Sequence, residues 1–543
     1  MRSSRLIFFL AGLLVLISLF SFACGDDDDD DNDDQPDDDT IDDDNDDTGD
    51  DDNDDTGDDD IVDDDTTDDD TVDDDTGDDD TGDDDTGDDD TVDEDTYVAP
   101  WPQSNLETQD YNETPEAGAM RIKVQEYDLW HEAHHQPYYG STVGVNFTDD
   151  SYTTVIGYFD TGDSCIWTGT YLVSQAMRYY VTGDEQARQN VIKVVEALDG
   201  HLHVTGRTGF IARYRGPQDP LVMPTVCDPE DNCHVVDEGP YAGDFWKGNT
   251  SRDQYTGWFF GMCLAYDVLD ERDEDVREMI RDDVTEVLDE LIGNFWFIID
   301  SDGQPTTAAP NVLPGQQLNW ALVGYHMTGY ERYKKVVQSW IKDNRRSILK
   351  LMNITFMNKY GQYYGNNLGH QNMYNILRLG EVYLGEDDYE FQRELFDSQT
   401  HRFVRLSHNA FFNAIYMSQG DYEPTDEDPY QDQLEQDLSE FRDAPNFRYY
   451  INPQTTELDP LSVFLDDLME EWPWLAELIG DVDPQATEAF PVQLQCSTDF
   501  LWQRNPFRVG PCGSDNPASV QPGVDYLVAY WMAAYHKFIA KDM

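Results

Sequence analysis

Asp163-Ser164-Cys165-Ile166-Trp167-Thr168-Gly169-Thr170-Tyr171-Leu172-Val173-Ser174-Gln175-Ala176-Met177-Arg178-Tyr179-Tyr180-Val181-Thr182-Gly183-Asp184 decides the fold class. Apolar and aromatic side chains surround the stretch Trp167 to Tyr180, which predicts a helix covered on every side. Thr182-Gly183-Asp184 supplies the turn, and a more polar helix follows in which Ala187, Val191, Val194, Val195, Leu198 and Leu202 recur at three and four. The unit is a helical hairpin with an apolar inner member and an amphipathic outer one.

The same unit recurs along the chain. Tyr255 to Leu269 with Asp270 precedes the amphipathic series Val276, Ile280, Val284, Val287, Leu288, Leu291, Ile292 and Phe295. Leu318 to Met327 ends in Thr328-Gly329, Tyr374 to Leu384 in Gly385, and Phe411 to Met417 runs on to Gly420. Val524 to Ile539, with Leu527, Val528, Trp531, Met532, Tyr535 and Phe538, completes the set. About six hairpins predict an all-α (α/α)6 toroid over 97–543, a closed double ring with loop insertions rather than an open solenoid.

The residues before this body differ in kind. Arg2 and Arg5 precede the apolar run Leu6 to Ala23, a secretory signal. With Cys24 behind Ser21-Phe22-Ala23, residues 1–24 resemble a bacterial lipoprotein signal peptide. That resemblance implies lipidation of Cys24 and a membrane-anchored protein of the cell envelope, periplasmic or on the cell surface. Residues 25–96 hold 45 of the chain's 115 acidic residues and no Lys or Arg. Nearly devoid of apolar side chains and self-repelling, they predict a disordered tether with at most weak Ca²⁺ association. Beyond residue 96 the remaining 70 acidic residues face 31 basic ones, a surplus that repels phosphate backbones and excludes nucleic acid as a partner.

Six cysteines follow Cys24, an even number that in an exported chain points to disulfides. Cys227 and Cys233, and Cys496 and Cys512, bracket short turn-rich segments and are expected to pair. Cys165 and Cys263 stand at similar places on two inner helices, as a third bridge or as buried thiols. No Cys-x-x-Cys pair is present, and no metal or cofactor is expected.

Polar residues collect where the inner helices begin. The groups are Asp163 with Trp167; Ser251-Arg252-Asp253-Gln254 with Trp258; Gln317 and Asn319 with Trp320; Asn366 and Asn367 with His370 and Tyr374; Asp499 with Trp502 and Arg504; and Asp525. Aromatic faces cover the C–H faces of sugar rings while Asp, Asn, Gln and Arg meet hydroxyls or carboxylates, so the mouth of the ring suits a glycan. Ser251-x-x-Gln254 also matches a capping box, and Asp163 is either a cap or a functional group. Arg252 has no capping duty and is unfavourable at a helix N-terminus, which implies another partner.

The hairpins, with Trp167-Thr168-Gly169 and the Thr182-Gly183-Asp184 turn, resemble the six-hairpin glycosidase superfamily. The resemblance implies a carbohydrate-active protein, foremost a glycoside hydrolase with glycan as substrate. Its candidate catalytic residues are Asp163, Asp253 and Asp499, since inverting hydrolysis sets an acid and a base either side of the scissile bond. Trp167, Arg213, Arg252, Trp258, Asn319, Asn367, His370, Tyr374, Trp502, Arg504 and Asp525 are candidates for holding the sugar. Asn366-Asn367-Leu368-Gly369 with Tyr374 partly resembles toroidal alginate lyases, with Leu368 where that family has His, and implies uronate lysis as an alternative. A non-catalytic module binding glycan or protein is the third reading. His131-Glu132-Ala133-His134-His135 matches the zinc-protease pattern in letters, but Pro137 ends any helix there, and a surface or rim histidine cluster is expected.

Overall fold

The computed structural model describes residues 115–352, 357–419, 429–455, 457–475, 482–496, 500–513 and 515–539. The expected signal peptide with Cys24, the acidic segment 25–96 and Asp499 lie outside the described residues.

Fourteen α-helices carry the described part of the body. They are α1 Pro115–Trp130, α2 Ser164–Thr182, α3 Glu185–His203, α4 Arg252–Val268, α5 Glu274–Gly293, α6 Pro314–Thr328 and α7 Glu331–Ile341. The remainder are α8 Asp343–Met352, α9 Tyr364–Tyr383, α10 Glu386–Leu395, α11 Ala410–Met417, α12 Tyr430–Glu440, α13 Pro460–Glu471 and α14 Val524–Tyr535. The anticipated turn forms as its residues dictate: Gly183 takes the left-handed conformation at φ 65° and ends α2, and the Asp184 carboxylate caps α3 on the Gln186 N–H.

The apolar helices contact one another in a cycle. α2 meets α4, α4 meets α6, α6 meets α9, α9 meets α11, α11 meets α14, and α14 returns to α2. α3, α5, α7, α10 and α12 each pack on the inner helix they follow, and α1 packs on α14. The closest crossing is between α2 and α4, where side chains are missing. A Cβ on Gly169 would stand 2.0 Å from the Gly257 carbonyl oxygen, so the two backbones touch. One continuous core joins the ring, with Trp258, Trp320, Tyr171 and Tyr255 fully buried in it.

The body is mostly helical, but not all-α as expected. Strands β1 Gly144–Phe147 and β2 Val155–Phe159 join β6 Asn446–Arg448 and β7 Asn516–Gln521 in an antiparallel sheet ordered β2-β1-β7-β6. β3 Tyr214–Pro217, β5 Asp244–Lys247 and β4 Cys233–Val235 form a second, ordered β3-β5-β4. These strands have three to six residues, too few for an alternating pattern to stand out. Cys227–Cys233 and Cys496–Cys512 are disulfides, and Cys165 and Cys263 are separate buried thiols. Among the described residues no helix is long and apolar enough to cross a membrane.

Candidate functional site at the mouth of the ring

Inner helices lie with like ends together. At the N-terminal end Gln254 of α4 meets Ile166 of α2, and at mid-height Asn319 of α6 donates to Asn372 of α9 at 2.7 Å. At the C-terminal end Asp267 of α4 meets His326 of α6, which in turn meets Tyr383 of α9. Residues just before and just inside α2 and α4 therefore share one rim.

Asp163 and Ser251 occupy the positions before those helices, yet neither side chain caps its own helix. Gln254 does not complete the expected capping box; it reaches across the crossing. Its Oε1 accepts the Ile166 N–H at 3.0 Å and its Nε2 donates to Asp163 Oδ1 at 2.8 Å. Arg213 approaches from the loop before β3, 3.7 Å from Asp163 Oδ1, and is anchored by donation to the carbonyls of Asn249 at 3.0 Å and Gly162 at 3.2 Å. Arg252 donates to the Asn311 carbonyl at 3.1 Å, the partner that its unfavourable place at a helix start required.

Asp253 feels the charge of both arginines. Burial raises its carboxyl above the usual carboxylate range, and the charges of Arg252 and Arg213 draw it only part of the way back. It remains partly exposed. Asp163, whose side chain is 45 % exposed, is the more open of the two. Two carboxylates at adjacent helix starts thus come under the influence of Arg213, one held by donors and the other pushed toward its protonated form.

Other sequence candidates fall elsewhere. Trp167 is buried and stacks on Phe500 at 4.4 Å, while Trp258 and Trp502 are core residues whose indole N–H groups face the Leu198 and Asp525 carbonyls. None of the three presents a face for a sugar, because an apolar-all-round helix buries its aromatics. Asp525 is fully buried and spends its oxygens on the Leu501 and Tyr526 N–H groups. Asn319 and Asn367 are also buried, within the ring. His370 stacks on Phe412 at 3.8 Å, and burial pushes its imidazole down to about 3, which removes it as a base near neutral pH. Arg504 is exposed on the loop after Trp502.

Tyr374 belongs to the opposite end, where with Arg378, Glu381, Gln419, Tyr535 and His536 it lines a cavity of about 230 Å³. Its hydroxyl bonds His536 Nε2 at 2.9 Å, and burial pushes its phenol well above the ordinary range. Behind this cavity Asp267 is gripped by Arg378 and by His326 at 2.5 Å. Burial alone would raise the Asp267 carboxyl, but these two partners hold it below the usual range. Sequence reasoning missed this network; the signal was an Asp and an Arg inside otherwise apolar helices.

The histidine cluster is not on a surface. His131 and His135 are buried, with Nδ1 atoms tied to the Pro522 carbonyl at 3.0 Å and the Val143 carbonyl at 2.9 Å, and Glu132 pairs with Arg178 at 2.9 Å. The two histidines and the glutamate of the zinc-protease pattern are thus each engaged with a carbonyl or an arginine in the turn that follows α1, and His134 is the partly exposed member of the cluster.

Neither a family model nor a curated protein matches this chain. Among solved structures, the crystal structure of the cellulase Cel9M of C. cellulolyticum aligns with 79 % of this chain and 100 % of its own, at 12 % identity and a TM-score of 0.39.

Proposed function

We propose that this chain is a carbohydrate-active (α/α)6 toroid, a glycoside hydrolase acting on a poly- or oligosaccharide, held in a bacterial cell envelope by a lipid anchor at Cys24. The observation that supports it is that Asp163 and Asp253, two carboxylates in different environments at the starts of adjacent inner helices, both come under the influence of Arg213. Environments that push two carboxyls apart are what an acid and a base require. Asp253 is assigned as the general acid that protonates the leaving oxygen. Asp163, open to solvent and oriented by Gln254, is assigned to the water that attacks the sugar. Arg213 and Arg252 hold the substrate's hydroxyls, and Asp499, the neighbour of Phe500 in the chain, is a further candidate for either role.

Full-length protein incubated with a glycan panel tests this, with new reducing ends and ultraviolet absorbance of unsaturated products read together. New reducing ends without that absorbance, abolished in D253N, are the expected result. Unsaturated products would turn the assignment to uronate lysis, and binding without turnover to a glycan-binding module. The lyase alternative is the weaker one, because its base candidates His370 and Tyr374 are buried and burial holds the His370 imidazole far below the range of a base near neutral pH.

A further inference from the structure

Outer helices α3 and α5 pack side by side and bring four metal-binding side chains together. Asp199 and His203 lie one turn apart on α3, and Asp283 and Glu286 one turn apart on α5. Ligand atoms of Asp199, His203 and Asp283 all lie within 4.8 Å of one another. His203 Nδ1 is 3.0 Å from Asp199 Oδ1, and its Nε2 is 3.7 Å from Glu286 Oε2. The other Glu286 oxygen accepts the Gly209 N–H at 2.8 Å, which fixes that carboxylate beside the cluster.

The observation that separates this group from an ordinary acidic surface is Asp283. It is 3 % exposed, and its Oδ2 has no hydrogen-bond partner among the described residues. A buried carboxylate oxygen without a donor is costly, and carboxylates in such places are paired or coordinate metals. Two further carboxylates and one imidazole face it, and no Lys or Arg forms an ion pair with Asp199 or Asp283 among the described residues. The positive charge set against these three carboxylates is that of a protonated His203, one charge for three, and a divalent ion would take its place.

We infer that Asp199, His203 and Asp283, with Glu286 at the rim, form a binding site for a divalent cation of the zinc type that clasps the outer helices α3 and α5. An imidazole among carboxylates selects zinc-like ions, whereas Ca²⁺ takes oxygens alone. Ligand atoms within 4.8 Å of one another lie near the spacing that metal–ligand bonds of about 2.0–2.2 Å around one ion require. His203, with 39 % of its side chain exposed, provides the way in.

The test is a Zn²⁺ titration of chelator-stripped, full-length protein, followed by calorimetry in excess Ca²⁺. Excess Ca²⁺ is present to compete for carboxylates of the acidic segment, so that a site preferring an imidazole stays available to Zn²⁺. One Zn²⁺ per chain is expected, with affinity at least about tenfold weaker in D283N and in H203Q and unchanged in D282N, a change at the exposed neighbour on α5. His203 is exposed, so H203Q keeps the fold even if D283N does not. Zn²⁺ binding that is absent, displaced by Ca²⁺, or equal in H203Q and D282N overturns the site.

Discussion

Gln254 caps a helix that is not its own. From the first turn of α4 its side-chain carbonyl accepts the backbone N–H of Ile166, in the first turn of α2, at 3.0 Å. The same amide donates to Asp163, so one side chain locks the α2–α4 crossing and orients a rim carboxylate. Q254A leaves a buried N–H unsatisfied and is expected to cost about 1–3 kcal/mol. Q254E keeps the acceptor but sets a second carboxylate against Asp163. Urea unfolding of both variants checks this, and a loss under about 0.5 kcal/mol in Q254A would mean that water replaces the amide.

Asp253 controls the pH dependence if it is the acid of the proposed hydrolysis. Its carboxyl is raised by burial and restrained by Arg252 and Arg213. Turnover is expected to fall on the alkaline side as this proton is lost. Removing a restraining charge in R252Q raises the carboxyl further, so the alkaline limb of the kcat/KM profile should move to higher pH. A limb that stays in place or moves to lower pH takes the acid role from Asp253.

The backbone contact of α2 with α4 leaves no room for a methyl group. G169A sets a Cβ 2.0 Å from a carbonyl oxygen of the partner helix and is expected to cost about 3 kcal/mol or more. G293A, at the end of α5 with nothing within 4 Å of the added Cβ, is expected to be near neutral. Thermal melting of the pair gives the comparison directly.

Asp128 ties stability to pH. Burial raises its carboxyl from 3.8 to about 6, against the opposing influence of Arg178 and of its hydrogen bond from Gln175. A carboxyl raised on folding stabilises the protein fully below its unfolded pKa and loses that contribution as pH rises through the folded one. Wild-type stability should therefore decline between about pH 4 and 6 relative to D128N, by about 3 kcal/mol in total. Chemical denaturation at pH 4 and pH 8 measures it, and equal differences at both pH values would contradict the raised carboxyl.

Thiol labelling separates the cysteines. Protein unfolded without reductant should label at Cys165 and Cys263, and the four half-cystines only after reduction. Native protein should leave both thiols unlabelled, since each is fully buried. Rapid native labelling of Cys263 would show that the α4–α9 contact opens, because its sulfur lies 2.9 Å from Arg378.

By itself the sequence determined what is local. Helical periodicity, the left-handed Gly183 turn, the Asp184 cap and disulfides over short separations depend on residues near one another in the chain, so spacing and residue type sufficed. It also placed Asp163, Arg252 and Asp253 at helix starts, which ring closure then gathered at one rim. Only the tertiary structure decided which polar groups stay open. Trp258, Trp502 and Asp525 look no different in sequence from rim residues, yet burial turned them into core and cap. Nor does spacing reveal that Gln254 caps α2, that Arg378 meets Asp267, or that Asp283 faces Asp199 and His203. Such pairings join separate helices, and a side chain's partner across a helix packing is set by the crossing of two backbones, which neither segment encodes alone.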